Sequence, residues 1–291
     1  FKWIKGHSGS IGNDGADKLA GKGAEKDEID QIDLSVDPKW DLSGADLGAM
    51  TQALAYRAYM ERAKVQARPK TTVMLNTIRA ALKEIMRRSP SDALIWKALW
   101  HKDFTRKERD FFFFIVHGTY KIGAYWNNIP TMNHRAICQK CGVTEDMEHI
   151  LVNCDTPGQK EVWRLTELFW RQKLPSRWIK PSIGSIAGCA LIHFSDQEGK
   201  SKPGADRLYR MLIAMSARLI WKLRCERVIR TEEDHSVREI QNRWRKEVDV
   251  RLRMDRAMTH PRFEKQALST NAVLRTWSRT IMNEENLPDS G

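Results

Sequence analysis

Cys138, Cys141, His149 and Cys154 stand in the pattern C-x2-C-x7-H-x4-C, and this short stretch constrains the chain more than any other feature of its sequence. Thiolate and imidazole are ligands that zinc selects, and four of them can close a tetrahedral shell around one ion. Such a shell organises a segment that has too few apolar side chains for a core of its own. The spacing predicts a small CCHC zinc knuckle within 131–157, with zinc as a structural cofactor. His149 precedes Ile150 and Leu151, which places it on a short helix with one of those two side chains packing inward. His134, four residues before Cys138, competes with His149 for the fourth position. Cys189 and Cys225 have no partner at ligand spacing and sit among apolar neighbours, so they read as core thiols.

The remaining sequence is helical in period. Leu47, Met50, Leu54 and Ala58 recur on one helical face, and Leu75, Ile78, Leu82 and Ile85 repeat that pattern after the Arg68-Pro69 break. Thr105 with Glu108, Thr156 with Pro157 and Gln159, and Ser236 with Glu239 match the capping box, in which two side chains satisfy unpaired N–H groups at a helix start. They predict helices running to about His117, Gln172 and His260. Asp206 to Arg230 is apolar on nearly every face and is expected to be central. A last helix is expected near Phe263 to Asn283. The fold class expected is mainly α.

Five cysteines are an awkward number for a secreted disulfide framework, and a reducing intracellular compartment, with the nucleus as one option, fits them better. The longest uncharged stretch, Pro181 to Ser195, contains Ser, Gly, Pro and His and falls short of the roughly 18 apolar residues of a membrane span. No membrane partner is expected. The chain carries 49 Lys and Arg against 37 Asp and Glu, a formal charge of +12 over 291 residues. Glu25 to Asp41 holds seven carboxylates against Lys26 and Lys39 and reads as an acidic linker, so the excess of positive charge lies elsewhere.

The opening residues predict a strand, Phe1 to Lys5, then a loop through Gly6-His7-Ser8-Gly9, and then a helix through Asp17, Leu19 and Ala24 with Asn13 as its N-cap. Trp3-Ile4-Lys5-Gly6-His7-Ser8-Gly9, Asn13 and Ala16-Asp17 resemble the C-terminal motif of type 1 ribonuclease H domains. The resemblance covers about the first twenty-four residues. It implies a family that cuts RNA in RNA–DNA hybrids with two magnesium or manganese ions held by four carboxylates. Asp17 matches the last of the four and His7 the mobile histidine that assists proton transfer, with Lys5 and Asn13 on the nucleic-acid side. The other three carboxylates belong to segments that precede this motif in the family, so the opening residues read as a truncated remnant, and this chain is expected to be inactive alone.

The zinc pattern, with Phe111 to Val116, Gly118, Pro130 and Glu145 before or within it, is similar to the zinc-binding segment of non-LTR retrotransposon reverse transcriptases. Fungal elements of that kind carry a ribonuclease H domain near the C-terminal end of the polyprotein, and the order of motifs here resembles theirs. The expected organisation is a ribonuclease H remnant at 1–27, the acidic linker at 28–42, a helical region at 43–130, the zinc segment at 131–157 and a basic helical region at 158–291. The alternative is a non-enzymatic zinc-stabilised helical module that binds nucleic acid or a protein partner.

Ser201 to His260 holds 15 Lys or Arg and 9 Asp or Glu, and Arg218, Lys222, Arg224, Arg227 and Arg230 crowd the end of one helix. Such a patch would neutralise phosphates of DNA or of an RNA–DNA hybrid, and solvated helix faces explain it nearly as well. Most of the eleven tryptophans fall at helical spacing among Leu, Ile and Phe, which suits core packing better than base stacking. There is no phosphate-cradling glycine loop and no nucleophile elbow.

Overall fold

In the computed structural model the described residues are 11–28, 31, 33–35, 37, 47–63, 68–231, 233–281 and 284. The chain is mainly α-helical, and it divides into two units, Phe1–Val65 and Gln66–Gly291. The expected strand at Phe1 to Lys5 and the loop with His7 lie outside the described residues.

The first unit contains α1 (Ile11–Ala24) and α2 (Gln52–Arg62), and neither helix buries a residue. Helix α1 starts two residues before the expected cap, so Asn13 sits in its first turn rather than at its N-cap. The apolar period from Leu47 to Ala58 is interrupted. Leu47–Ala49 form a 3-10 turn, and α2 begins after Thr51, whose hydroxyl accepts the Leu54 N–H at 3.2 Å. A local cap here outcompetes a longer helix that had no core to bury.

The second unit holds the apolar core. Helix α3 (Pro69–Met86) starts with proline at its first turn and buries Leu75, Ile78 and Leu82, three of the four residues of the expected stripe. After α4 (Asp92–Leu99), helix α5 (Arg106–His117) opens on the full Thr105–Glu108 capping box and buries Phe111, Phe112, Ile115 and Val116. Helices α6 (Pro157–Lys173), α7 (Ile183–Ala187), α8 (Pro203–Glu226), α9 (Val237–Ala257) and α10 (Thr270–Trp277) complete the unit. Helix α8 is its axis: Leu208, Leu212, Ile213, Ala217, Ile220 and Leu223 are buried on all its faces, as the absence of a polar stripe dictates.

Buried polar groups fix how the helices meet. Thr166 on α6 and Ser216 on α8 are bonded at 2.7 Å, and the indole N–H of Trp244 on α9 donates to both oxygens at 3.1 Å. At the other end of α8, Arg207 reaches Asp103 at 3.0 Å and grips Asp255 of α9 with two nitrogens, while the Trp277 indole of α10 donates to Asp255 at 2.8 Å. Every partner in these clusters is satisfied by another, which is what permits their burial.

Two ends differ from the periodicity. The last helix is confined to Thr270–Trp277, because Ser269 caps it by accepting the Ala272 N–H at 3.2 Å and a 3-10 turn, Pro261–Gln266, precedes it. At α6, Thr156 makes no side-chain cap bond, and the side chain of Gln159, the expected cap partner, donates to the Val152 carbonyl at 2.8 Å instead. Of the tryptophans, Trp163, Trp170, Trp244 and Trp277 are core residues, whereas Trp100 is 56% exposed. Cys189 is fully buried, as a core thiol should be, and burial pushes it up to about 12; Cys225 is only half-buried. No helix among the described residues is long and apolar enough to cross a membrane.

Candidate metal centre

The segment between α5 and α6 makes few regular backbone bonds, so its geometry depends on short local devices. Cys138 and Val143 are joined by an N–H to carbonyl bond of 2.8 Å, and the Gly142 N–H returns to the Cys138 carbonyl at 2.8 Å. Ile137 and Thr144 pair antiparallel beyond this turn, and the Glu145 N–H reaches the Ala136 carbonyl at 2.9 Å. The turn needs a left-handed residue after the second cysteine, and Gly142 supplies it with φ of 71°. The two thiols of C-x2-C are thereby turned to the same side.

The other two ligands come from one turn of π-type helix, His149–Asn153, and the residue after it. Asp146 starts that turn by accepting the His149 N–H at 2.6 Å. Its carbonyls are collected by α6: the Gln159 amide donates to Val152 at 2.8 Å and the Trp163 indole to Leu151 at 2.6 Å. Ile150 and Leu151 both pack into the core, where the sequence required only one of them to do so.

These devices bring Cys138, Cys141, His149 and Cys154 together, with one ligand atom from each within 4.8 Å of all the others. The Sγ atoms of Cys138 and Cys154 are 3.8 Å apart, and those of Cys141 and Cys154 are 3.9 Å apart. A tetrahedron with metal–sulfur bonds of about 2.3 Å has sulfur–sulfur edges of about 3.8 Å. The same separations far exceed the about 2.05 Å of a disulfide. His134 is exposed on a 3-10 turn, Asn133–Ala136, and is not a member of the group, so the competition for the fourth position falls to His149.

The donor chemistry also fits a cation. The Nε2 atom of His149 is buried without a hydrogen-bond partner in the protein. Burial opposes ionisation of Cys138, yet the neighbouring imidazole of His149 and the N–H groups of Cys141 and Lys140 outweigh it and hold this thiol below its ordinary range. Burial pushes the Cys154 thiol up. Sulfurs this close cannot all ionise beside one another unless a positive charge stands between them. The Asp155 N–H aims at the Cys141 sulfur from 3.3 Å, a donor placed for a thiolate.

The centre is bolted to the helical core through Glu145. This residue, 4% exposed, forms a two-pronged ion pair through its carboxylate with the buried guanidinium of Arg224 on α8. The backbone of Glu145 is in turn approached so closely by Gly123 that a Cβ there would stand 2.0 Å from the Glu145 carbonyl oxygen. The pairing of Glu145 with Arg224 was illegible in the sequence, where 79 positions separate them. Gly142 could have been found from its place immediately after C-x2-C, a position that demands a reversal of the chain.

The other expected site residues are not gathered. Lys5 and His7 lie outside the described residues, and Asp17 and Asn13 stand on α1, Asp17 exposed. Among the described residues, Asp17 belongs to no group of three or more potential metal ligands. Arg218 and Lys222, about 40° apart around α8, share one face, Arg224 points away from them, and Arg227 opens the π-type turn after the helix. Lys222 is exposed, Arg218 faces Glu247 at 3.3 Å, Arg227 lies 3.7 Å from Asp234, and Arg224 is committed to Glu145. Arg224 is thereby withdrawn from any phosphate-binding face. No protein-family model, curated protein or solved structure matches this chain.

Proposed function

We propose that Cys138, Cys141, His149 and Cys154 hold one structural zinc ion, and that residues 66–291 form a non-catalytic, zinc-stabilised helical module whose partner is nucleic acid. The closed group of three sulfurs and one imidazole carries this reading. Four protein ligands complete the tetrahedral shell, and a zinc ion so enclosed has no open position for a water or a substrate. The ion would take up charge that burial otherwise makes unfavourable and would fix the chain path from Ala136 to Thr156 against α6 and α8.

The succession of a ribonuclease H-like opening and a zinc segment similar to that of non-LTR retrotransposon reverse transcriptases supports placing the chain in the C-terminal part of a protein of that kind. On this reading Asp17 and His7 are inherited site residues, with magnesium or manganese belonging to the intact nuclease, and this chain does not cut hybrids by itself. The formal charge of +12 supports a polyanionic partner.

Metal analysis of the purified chain should return one zinc per molecule, and the Cys141→Ser variant should return far less; an unmodified chain that folds without metal would overturn the assignment. Incubation with a labelled RNA–DNA hybrid and magnesium or manganese should give no cleavage, and metal-dependent cleavage would overturn the non-catalytic reading. Binding of an oligonucleotide at several salt concentrations should weaken steeply as salt rises, whereas a flat response favours a protein partner.

A further inference from the structure

A recess of about 430 Å³ opens beside the zinc segment, between the end of α5, the 3-10 turn Gly123–Asn128 and the C-terminal half of α8. One wall is a chain of rings. Phe114 meets Tyr120 edge-on with centroids 5.7 Å apart, and Tyr120 lies 4.3 Å from Trp221. Trp126 also lines the recess, held in place by its indole N–H, which donates to the Lys121 carbonyl at 2.9 Å. Phe114 is 44% exposed and the neighbouring Tyr125 is 42% exposed, an unusual waste of aromatic surface if nothing covers it.

Charge decides what covers it. The Arg135 guanidinium lies 5.5 Å from the Trp126 ring, and its Nε is buried with no hydrogen-bond partner. Lys121 stands at the rim, 5.6 Å from the Tyr125 ring. Among the described residues that line the recess none carries a carboxylate. Arg224, which also lines it, is neutralised from behind by Glu145, so Arg135 and Lys121 are the charges on offer. An apolar peptide would leave both cations without a counter-charge. A nucleotide satisfies both requirements, because its base has two π faces and its phosphate is an anion at the distance of one sugar.

From this geometry we infer that the recess is a single-strand nucleic-acid site, in which an unpaired base enters against Trp126 and the Phe114–Tyr120–Trp221 wall while Arg135 and Lys121 hold the flanking phosphates. This rests on the proposal that the partner is nucleic acid, and it narrows that partner to unpaired strands. Stacking tolerates any base, so the site selects strand state rather than sequence. A duplex keeps its bases stacked on one another and cannot fill it.

The test uses the full zinc-loaded chain and fluorescein-labelled 12-nucleotide oligo-dT and oligo-U, against a duplex of the same length. Single strands should bind more tightly than the duplex. Trp126→Leu should weaken single-strand binding about tenfold, the worth of one lost stacking contact, and Trp126→Phe should restore most of it. Arg135→Gln should lower the slope of log affinity against log salt by about one. Photocrosslinking of the unmodified chain with 5-iodouracil-substituted oligonucleotide should label peptides within 114–135 or 221–229, a readout that does not depend on any variant folding. If oligonucleotides bind but crosslink elsewhere, or bind the variants and the duplex as well as they bind the unmodified chain, the recess is overturned and nucleic-acid binding survives. If no strand binds at any salt concentration, both readings fall.

Discussion

The CCHC segment and the helical body solve the same problem in opposite ways. From Ala136 to Thr156 the chain closes on itself: its ligands span 16 positions, and its turn bonds link near neighbours. The body is held by groups far apart in the chain, with Thr166 bonded to Ser216 and Trp244, and Asp103 bonded to Arg207. A metal shell would offer several strong bonds at one point, so the segment could be ordered by a few ligands together with the few side chains, Ile150 and Leu151 among them, that it lends to the core. A helix bundle offers only weak contacts, and it must spread them over long α8 faces before they exceed the conformational entropy they oppose.

If the two regions differ in this way, they should fail separately. The largest effect is expected from removing a ligand. Cys138→Ser should abolish tight zinc binding, because ligand loss removes most of a metal free energy of about 10–16 kcal/mol. Hydrogen exchange should then become fast from 136 to 156 while the middle of α8 stays protected. Simultaneous loss of protection in α8 would show that the body needs the metal too.

Arg224 is the place where the separation should break down, since it joins the regions. Arg224→Met leaves Glu145 buried without a counter-charge and should cost about 3–5 kcal/mol in urea unfolding. Adding Glu145→Gln should return much of that loss, and a double variant as unstable as the single one would argue against a charge effect.

Within the body alone, Ser216→Ala removes one buried partner each from the Trp244 indole and the Thr166 hydroxyl, which keep each other and the Val162 carbonyl. A loss of about 1–2 kcal/mol is expected, with zinc content unchanged.

A smaller and pH-dependent effect should mark His101, which donates nothing to the metal centre. Burial, then the charge of Arg210 beside it, lowers its pKa from 6.5 to about 4. The unfolded chain therefore binds a proton first, so stability present above about pH 6.5 is lost as pH falls toward about 4, and the loss levels off below that. Allowing for its partial exposure, the change is about 1–2 kcal/mol. The stability difference between the unmodified chain and His101→Gln, measured by urea unfolding from pH 7 to pH 4.5, should shrink or reverse along that course. A constant difference would place the histidine in a solvent-like environment.

Legibility in the sequence followed the range of the interaction. The Thr105–Glu108 capping box could be read because both partners act within one helical turn, and the stripe of α3 because its period is a property of the helix itself. For the basic residues at the end of α8, a count of charges leaves open what each one meets. Arg224 meets Glu145, Arg218 meets Glu247, and Arg243, outside that cluster, is taken by Glu226 on α8. Gln159 was assigned to the wrong task for a similar reason: its local partner Thr156 was visible, but the free carbonyl of Val152 on the preceding turn competed better.

The sequence by itself determined where a metal can bind, which residue types would hold it, and that the chain is mostly helix, because ligand spacing and helical period are encoded within a few positions. Only the tertiary structure decided that Glu145 anchors the CCHC segment to α8, that Arg224 is taken up in that anchor, and that Phe114, Tyr120, Trp126 and Trp221 share one recess. Those outcomes depend on which distant segments meet, and that is settled by the packing of the whole core rather than by any stretch of chain within it.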